Sequence, residues 1–245
     1  MIKTANNVWV NLLKTVMNEG YDIKIRGSVT LECISQTSII DMNLPYVDIP
    51  ERKIGKKFRY AEAAWILSGD NKVSTIAPYC KTISQFSDDG YYFRGAYGPH
   101  IISQLPYIIH LLRKDPSTRQ AVISIWNRSP GYSIDIPCTL SIQFLIRNNK
   151  INTVVSMRSS DLWLGWPYDV HNFSMLTVYV ILHLKKYELG NLYLTAGSQH
   201  IYIRDWESCK NILKREGCYK NRVFNLDRSL NPQGFINRLW EYAND

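Results

Sequence analysis

The sequence predicts an α/β (α+β) fold, in which one mixed β-sheet packs against several helices within a single domain over residues 1–245. Runs rich in β-branched residues indicate strands, and runs with apolar residues at helical spacing indicate helices. The two kinds of run do not alternate regularly along the chain, as they would in a Rossmann fold. A chain of 245 residues is long enough to bury one core without disulfide bonds or structural metal ions.

The N-terminal part of the chain predicts two helices separated by strand. Apolar residues at helical spacing over residues 7–17 predict a first helix that ends near Gly20. Residues 29–42 have the mixed pattern of one or two strands, and residues 58–67 predict a nearly all-apolar helix closed by a Ser-Gly-Asp turn. Glu62 lies in the middle of this helix, where a buried carboxylate is costly unless it is paired or used in chemistry.

The segments around this apolar helix are richer in charges and turns. Residues 51–59, ERKIGKKFR, form the densest basic cluster, and we expect a solvated turn there. Residues 70–98 are rich in loop signals. Residues 101–112 then predict a helix that Pro106 should kink.

The second half of the chain predicts the centre of the sheet. The Asn148-Asn149 pair predicts a tight turn between two strands, and Pro167 suits the first turn of a long buried helix. After the last helix we expect a polar tail. The predicted strands are residues 121–126, 140–146, 151–157 and 192–202, and the predicted helices are residues 167–186 and 206–214.

Composition restricts the classes of function. The net charge of +8, from 29 Lys and Arg against 21 Asp and Glu, favours anionic ligands in general. The basic residues are scattered, so a small phosphate compound is as good a partner as a nucleic acid. The five cysteines are odd in number and include no CxxC pair, which predicts reduced thiols and no metal site. The N-terminus lacks the apolar stretch of a secretory signal, and no run is long enough to span a membrane, so we expect a cytoplasmic protein.

Two segments carry the most specific pattern in the chain. Residues 135–138 read Asp-Ile-Pro-Cys, and Gln143 follows the cysteine by five positions. Residues 157–169 read MRSSDLWLGWPYD. These segments resemble the nucleophile segment and the RSxDxxLGxPxN segment of the thymidylate synthase family, with every spacing kept. A cysteine at a strand start is most often a small buried hydrophobe, but the order and spacing of the motifs favour Cys138 as a nucleophile.

Further matches extend the resemblance from about residue 60 to residue 202. Residues 61–70 resemble the family's ExxWxxxGD helix, which carries a catalytic carboxylate. Tyr97 and the glycine after it match a second family motif, and residues 197–202, GSQHIY, match the segment that holds the sugar 3′-hydroxyl. Taken singly, a histidine in such a segment is equally well a satisfied core residue.

The resemblance also implies a homodimer. Residues 115–120, DPSTRQ, resemble the family's DPxSRR loop, which reaches across a symmetric dimer to the phosphate in the partner's site. Arg119 matches the first arginine of that loop. Gln120 replaces the second, which predicts either a weaker grip on the phosphate or compensation by another residue.

The resemblance implies a mechanism and a role for each matched residue. Cys138 would add to C6 of a pyrimidine nucleoside monophosphate, after which C5 can attack a one-carbon iminium supplied by 5,10-methylenetetrahydrofolate. Arg158 would grip the phosphate and lower the pKa of the nucleophile. The expected catalytic residues are Cys138, Glu62, Asp169 and Tyr97; the substrate-binding residues are Arg158, Ser159, Arg119, Gln143, His200, Tyr202 and Arg26; the folate-binding residues are Asp161 and Gly165.

Asp169 stands where thymidylate synthases have an asparagine, and this difference bears on the base. Cytosine offers an acceptor at N3 and donors at N4, which a carboxylic acid can match by donating through its hydroxyl and accepting at its carbonyl oxygen. Thr139 follows the nucleophile where the synthases have histidine. No tryptophan lies between residues 70 and 97, where the synthases shield the reacting carbon from water. In these differences the chain resembles the deoxycytidylate 5-hydroxymethylases of bacteriophages. An enzyme encoded by a phage would act in the host cytoplasm.

Several hypotheses about the function are compatible with the sequence. The main hypothesis is deoxycytidylate 5-hydroxymethylase, in which water rather than hydride completes the reaction. A methyl-transferring enzyme acting on cytosine or uracil nucleotides, such as a thymidylate synthase, is the nearest alternative, and a cytidylate hydroxymethylase acting on the ribonucleotide is another. A basic nucleic-acid-binding module is the alternative from a different class, although the sequence shows no motif for one.

Overall fold

A mixed sheet is the scaffold of the protein. The computed structural model describes residues 3–25, 27–127, 131–215 and 219–245. The described strands pair in the order β1-β2-β6-β5-β4-β3, and all neighbours are antiparallel except β5 and β6. The strands are β1 Tyr21–Ile25, β2 Ser28–Asp41, β3 Val122–Ser124, β4 Thr139–Arg147, β5 Lys150–Asp161 and β6 Glu188–Tyr202.

The helices gather on one face of this sheet. The central helix, α5, joins the parallel strands β5 and β6 as a crossover, with Pro167 in its first turn. The Thr177 hydroxyl on α5 lies 2.6 Å from that of Thr153 on β5, which fixes the helix on the sheet. The helices are α1 Ala5–Glu19, α2 Lys56–Leu67, α3 Val73–Ile76, α4 Tyr97–Lys114, α5 Trp166–Leu184, α6 Trp206–Leu213 and α7 Pro232–Asn244, with 3-10 turns at Pro50–Arg52, Lys81–Phe86 and Ile203–Asp205.

The two faces of the sheet differ in exposure. On the helix side, one row across four strands is fully buried, namely Ile40, Leu192, Thr153 and Phe144. The neighbouring row on the opposite face consists of Ile39, Tyr193, Val154 and Gln143, and all four side chains are only half-buried. The described part of the chain therefore leaves the second face of the sheet open.

The predicted fold class is confirmed, and so are the predicted helices and the central strands. Asn148 and Asn149 have φ values of 51° and 60°, and the turn pairs Arg147 with Lys150 as a two-residue hairpin requires. The helix predicted over 101–112 begins earlier, at Tyr97, and continues through the proline. The strand predicted over 121–126 is only three residues long.

The expected polar tail is wrong, because residues 232–244 form α7. This helix buries Phe235, Ile236 and Leu239 and packs against α2. Its apolar residues have helical spacing, but most of their neighbours are polar. The segment is therefore polar on average, although one face of the helix is apolar and buried.

The expected solvated turn at residues 51–59 is also wrong in part. Arg59 is fully buried, donates to Asp48 at 2.9 Å and lies over the ring of Tyr46 at 4.7 Å. Arg52 is buried as well, with its Nε donating to the carbonyl oxygen of Trp163 at 2.8 Å and its guanidinium over the Trp163 ring. The ion pair and the aromatic faces offset the cost of burying these charges. Within the described residues, no helix has both the length and the hydropathy needed to cross a bilayer.

Candidate active site

The matched motifs meet at one end of the sheet. Cys138 immediately precedes β4, and its carbonyl oxygen accepts from the backbone N–H of Arg158 on β5 at 2.8 Å. On the next strand, His200 pairs with Asp161 across the parallel β5–β6 ladder. Further side chains of this region come from the first turns of α5, the middle of α2 and the start of α4.

The backbone leading to Cys138 is held on both sides. Arg158 donates through Nε to the carbonyl oxygen of Pro137 at 3.0 Å and through Nη2 to that of Ile136 at 2.9 Å. Earlier in the segment, the Asp135 carboxylate accepts from the backbone N–H of Gly95 at 2.9 Å. These bonds fix the backbone that carries the half-buried thiol at the start of β4.

Two carboxyl groups, those of Glu62 and Asp169, face each other in the interior. Burial raises the pKa of Glu62 to about 7, while a hydrogen bond from Asn172 opposes this rise. Burial also holds the pKa of Asp169 well above its ordinary value, and the nearby carboxylates of Glu62 and Asp161 add to the effect. Two carboxyl groups in one site do not readily ionise together, which favours the protonated form of Asp169.

Tyr97 lies at the first residue of α4, between the thiol and the acid. Its ring stacks on Phe173 with centroids 6.4 Å apart. Burial holds its pKa well above the ordinary value, and the carboxylate of Asp169 and the thiol of Cys138 contribute further. The phenol is therefore protonated near neutral pH and can donate a hydrogen bond. The adjacent Gly98 permits this position, since a Cβ there would lie 2.9 Å from the carbonyl oxygen of Asp70.

The loop between β5 and α5 is anchored by Asp161. One of its carboxylate oxygens accepts from the backbone N–H groups of Trp163 at 2.8 Å and Leu164 at 3.0 Å. The other lies 3.6 Å from the guanidinium of Arg204. Gly165 closes the loop, and a Cβ there would lie 3.4 Å from Oδ2 of Asp169. The missing side chain thus keeps open the space above the acid.

His200 and Tyr202 lie next to each other near the end of β6. The His200 side chain is buried, and its ring meets that of Tyr202 edge to face with centroids 5.3 Å apart. Burial lowers the pKa of His200, which keeps the imidazole neutral near pH 7. Its Nδ1 lies 3.4 Å from the hydroxyl of Ser198, which in turn donates to Glu32. Ser159 pairs with Ser198 in the β5–β6 ladder and so lies at the same end of the sheet.

Two of the predicted residues are not in this cluster. Gln143 lies five residues beyond Cys138 along β4, about 16 Å for an extended strand. Its amide donates to the backbone carbonyl of Arg119 at 2.7 Å, and the Arg119 side chain is exposed. Within one chain, these two residues form a separate contact. Arg26 lies outside the described residues.

The site also contains residues that the motif analysis missed. Asn172 donates to Glu62, Asp135 anchors the nucleophile segment, and Arg52 holds the loop carbonyl of Trp163. Asn172 carried a readable signal, because it follows Asp169 by three positions on a helix and so shares its face. Asp135 belongs to the segment that carries Cys138, but its contact with Gly95 was not readable, because the two residues are distant in the sequence. The same holds for Arg52 and Trp163.

Comparison with known proteins agrees with this geometry. The chain matches the thymidylate synthase family model over residues 7–232. It is 30% identical over 222 residues to the deoxyuridylate hydroxymethyltransferase of Bacillus phage SP01, which covers 81% of this chain and 57% of that protein. The chain thus spans little more than half the length of that relative.

Two thymidylate synthases are also similar over most of their length. The enzyme of Enterobacteria phage T4 is 27% identical over 230 residues, covering 84% of this chain and 80% of that protein. The enzyme of Buchnera aphidicola is 26% identical over 228 residues, covering 87% of this chain and 86% of that protein. With a family match that spans nearly all of the sequence, the chain belongs to the thymidylate synthase family.

Proposed function

We propose that this protein transfers a one-carbon unit from 5,10-methylenetetrahydrofolate to C5 of deoxycytidylate, with water completing the reaction to give 5-hydroxymethyl-deoxycytidylate. The observation that carries the proposal is Asp169, whose pKa burial raises well above its ordinary value, at the position where the family's synthases have an asparagine. A protonated carboxyl group both donates and accepts hydrogen bonds. It can therefore satisfy N3 and the N4 amino group of cytosine together.

The other residues of the cluster supply the chemistry of the nucleotide. The Cys138 thiolate adds to C6, which turns C5 into a nucleophile. Glu62 moves protons through ordered water at the base, for which a pKa of about 7 is well suited. Arg158 and Ser159 bind the phosphate, and His200 and Tyr202 bind the sugar hydroxyl.

The folate fits the open loop before α5. When bound, the folate supplies the transferred carbon at the oxidation level of formaldehyde. The fixed carboxylate of Asp161 can accept from N–H groups of a pterin ring, and Gly165 leaves room for the ring above Asp169. Leu164, whose side chain is 46% exposed, offers apolar surface at the mouth of the site.

Two observations support hydroxymethyl rather than methyl transfer. The phage SP01 relative is named as a hydroxymethyltransferase, although its nucleotide is deoxyuridylate. Between residues 70 and 97, the 3-10 turn Lys81–Phe86 presents Ile83 and an exposed Phe86 in place of any tryptophan. A less shielded carbon admits water more readily.

Deoxyuridylate is the second candidate substrate, and the name of the phage SP01 relative favours it. Turned about its Cβ–Cγ bond, a protonated Asp169 could accept from N3–H of uracil and donate to O4. The choice between the two bases then depends on how the acid is oriented in the site.

A homodimer is part of the proposal. The open face of the sheet offers a half-exposed apolar row to a second copy of the chain. Gln143, on this face, holds the carbonyl of the loop that carries the exposed Arg119. In a dimer this loop would carry Arg119 to the partner's phosphate.

The product mass tests the proposed function. The chain is incubated with 5,10-methylenetetrahydrofolate and either deoxycytidylate, cytidylate or deoxyuridylate. We expect deoxycytidylate to gain one carbon, one oxygen and two hydrogens, and Cys138→Ser to yield no product and no exchange of the C5 hydrogen. Asp169→Asn should shift the preference towards deoxyuridylate. Consumption of deoxyuridylate alone by the wild-type chain would contradict the assignment of the base, and a gain of one carbon and two hydrogens would contradict the hydroxymethyl product.

A further inference from the structure

A hydrogen bond links Asn172 on α5 to Glu62 on α2. Nδ2 of Asn172 donates to Oε2 of Glu62 at 2.8 Å, and the asparagine side chain is 6% exposed. Asn172 follows Asp169 by three positions on the same helix, so the two side chains share one face of α5. The amide thus lies in the same interior region as both carboxyl groups.

The two carboxyl groups differ in their hydrogen bonds. Glu62 accepts the bond from Asn172, whereas within the described residues no donor contacts the side chain of Asp169. A donor aimed at a carboxylate stabilises its charged form, and a charge-assisted bond is worth about 1.5–3 kcal/mol. When a buried pair carries one proton, the group with the donor becomes the anion and the other keeps the proton.

We infer that Asn172 is a positioning residue that decides which of the two carboxyl groups holds the proton. Its amide keeps Glu62 as the anion that acts on water, and leaves Asp169 as the acid that faces the base. The role of Asp169 towards a base rests on the proposed function. The location of the proton rests only on the contact between the two helices.

Of the other titratable groups around the pair, the carboxylate of Asp161 adds to this bias, because it raises the pKa of Asp169, whereas the histidine and the phenols do not supply it. Burial lowers the pKa of His171 well below its ordinary value, so this histidine stays neutral beside Asn172. Tyr97 and Tyr168 stay protonated, because burial raises the pKa of both phenols. The titratable groups facing the pair are Asp161 on β5, Cys138 before β4, Tyr97 on α4, and Tyr168 and His171 on α5.

Carboxyl titration in the free protein tests the inference. Side-chain carboxyl carbons of Glu and Asp are labelled with ¹³C, and the two signals are assigned from their loss in Glu62→Gln and Asp169→Asn. In Asn172→Leu, which has similar size but no donor, we expect the Glu62 midpoint to rise by about one pH unit or more. The Asp169 midpoint should fall, because its neighbour now holds the proton more often.

A matched control separates this effect from general damage to α5. Ser174 is fully buried two residues further along, and its hydroxyl donates to the carbonyl of Val170 at 2.7 Å without contacting either carboxyl group. Ser174→Ala should leave both midpoints in place. Unchanged midpoints in Asn172→Leu would overturn the inference, and Asn172→Ala provides the same measurement if the leucine variant does not fold.

Kinetics supply a second readout that a purely structural role would not move. The acid limb of kcat/KM against pH should shift upwards in Asn172→Leu and remain in place in Ser174→Ala, with whichever nucleotide the wild-type chain converts. Shifted midpoints in a chain that converts only deoxyuridylate would support the inference about Asn172 and overturn the proposed base. Unchanged midpoints in a chain that converts deoxycytidylate would overturn the inference about Asn172 and support the proposed base.

Discussion

At the scale of single residues, Glu62 shows how burial prepares a side chain for chemistry at a cost in stability. The pKa of this carboxyl rises from its ordinary 4.5 to about 7 because the group lies in the interior. The folded state therefore binds the proton more tightly than the unfolded state does. The stability linked to this proton is fully present below pH 4.5 and is lost as the pH rises to about 7.

Glu62→Gln should therefore separate stability from activity. The amide carries no charge to bury, so we expect the variant to be more stable than the wild type by about 1–3 kcal/mol at pH 8. At pH 4 the gain should vanish, because the wild-type carboxyl is then protonated. Turnover should fall by about a hundredfold or more, the upper range for loss of a general acid–base group. Urea unfolding at both pH values checks the first claim, and an equal gain at pH 4 and pH 8 would contradict it.

At the scale of elements, α7 supports the helix that carries Glu62. Its buried side chains face α2, and the ring of Tyr242 lies 5.3 Å from that of Tyr60. The C-terminal end of α7 also contacts the loop before the 3-10 turn, since the hydroxyl of Tyr79 donates to Asn244 at 2.8 Å. A helix far from the motifs thus forms part of the support for Glu62.

Leu239→Ala tests this support. The side chain is 1% exposed, and its truncation should cost about 2–5 kcal/mol through lost burial and a residual cavity. Arg238→Ala, next to it on the same helix, removes an exposed ion pair with Glu241 and a hydrogen bond with the exposed Tyr242, and should cost less than about 1 kcal/mol. Thermal or urea unfolding compares the two variants. Equal costs would show that α7 packs on α2 without contributing to stability.

At the scale of the whole molecule, the open face of the sheet predicts self-association. Val154 lies in the centre of the half-exposed row, and a lysine there should place a charge inside the proposed interface. We expect Val154→Lys to convert a dimer to a monomer and to weaken binding of the nucleotide phosphate, since Arg119 would no longer reach it. Sedimentation velocity measures the change. Tyr107→Lys, at a residue 60% exposed on α4, is the control and should stay dimeric; a wild-type chain that sediments as a monomer would contradict the prediction.

Much of the fold and of the site was predictable from the sequence, because the signals involved are local. Hydrophobic periodicity is a property of neighbouring residues, which is why the helices and central strands were located correctly. The family motifs are short segments of fixed spacing. They predicted Cys138, Arg158 and Asp169 as site residues without any knowledge of how the segments meet.

Only the tertiary structure decided the electrostatics of the site. The raised pKa of Asp169 follows from its burial and from the nearby Glu62, and the anchoring of Glu62 follows from Asn172, which is 110 positions away in the chain. Likewise, nothing in the basic run at residues 51–59 shows that Arg52 and Arg59 are buried on aromatic rings. A pKa or a buried ion pair depends on which distant groups approach and on how much water is excluded, and both are properties of the packed chain.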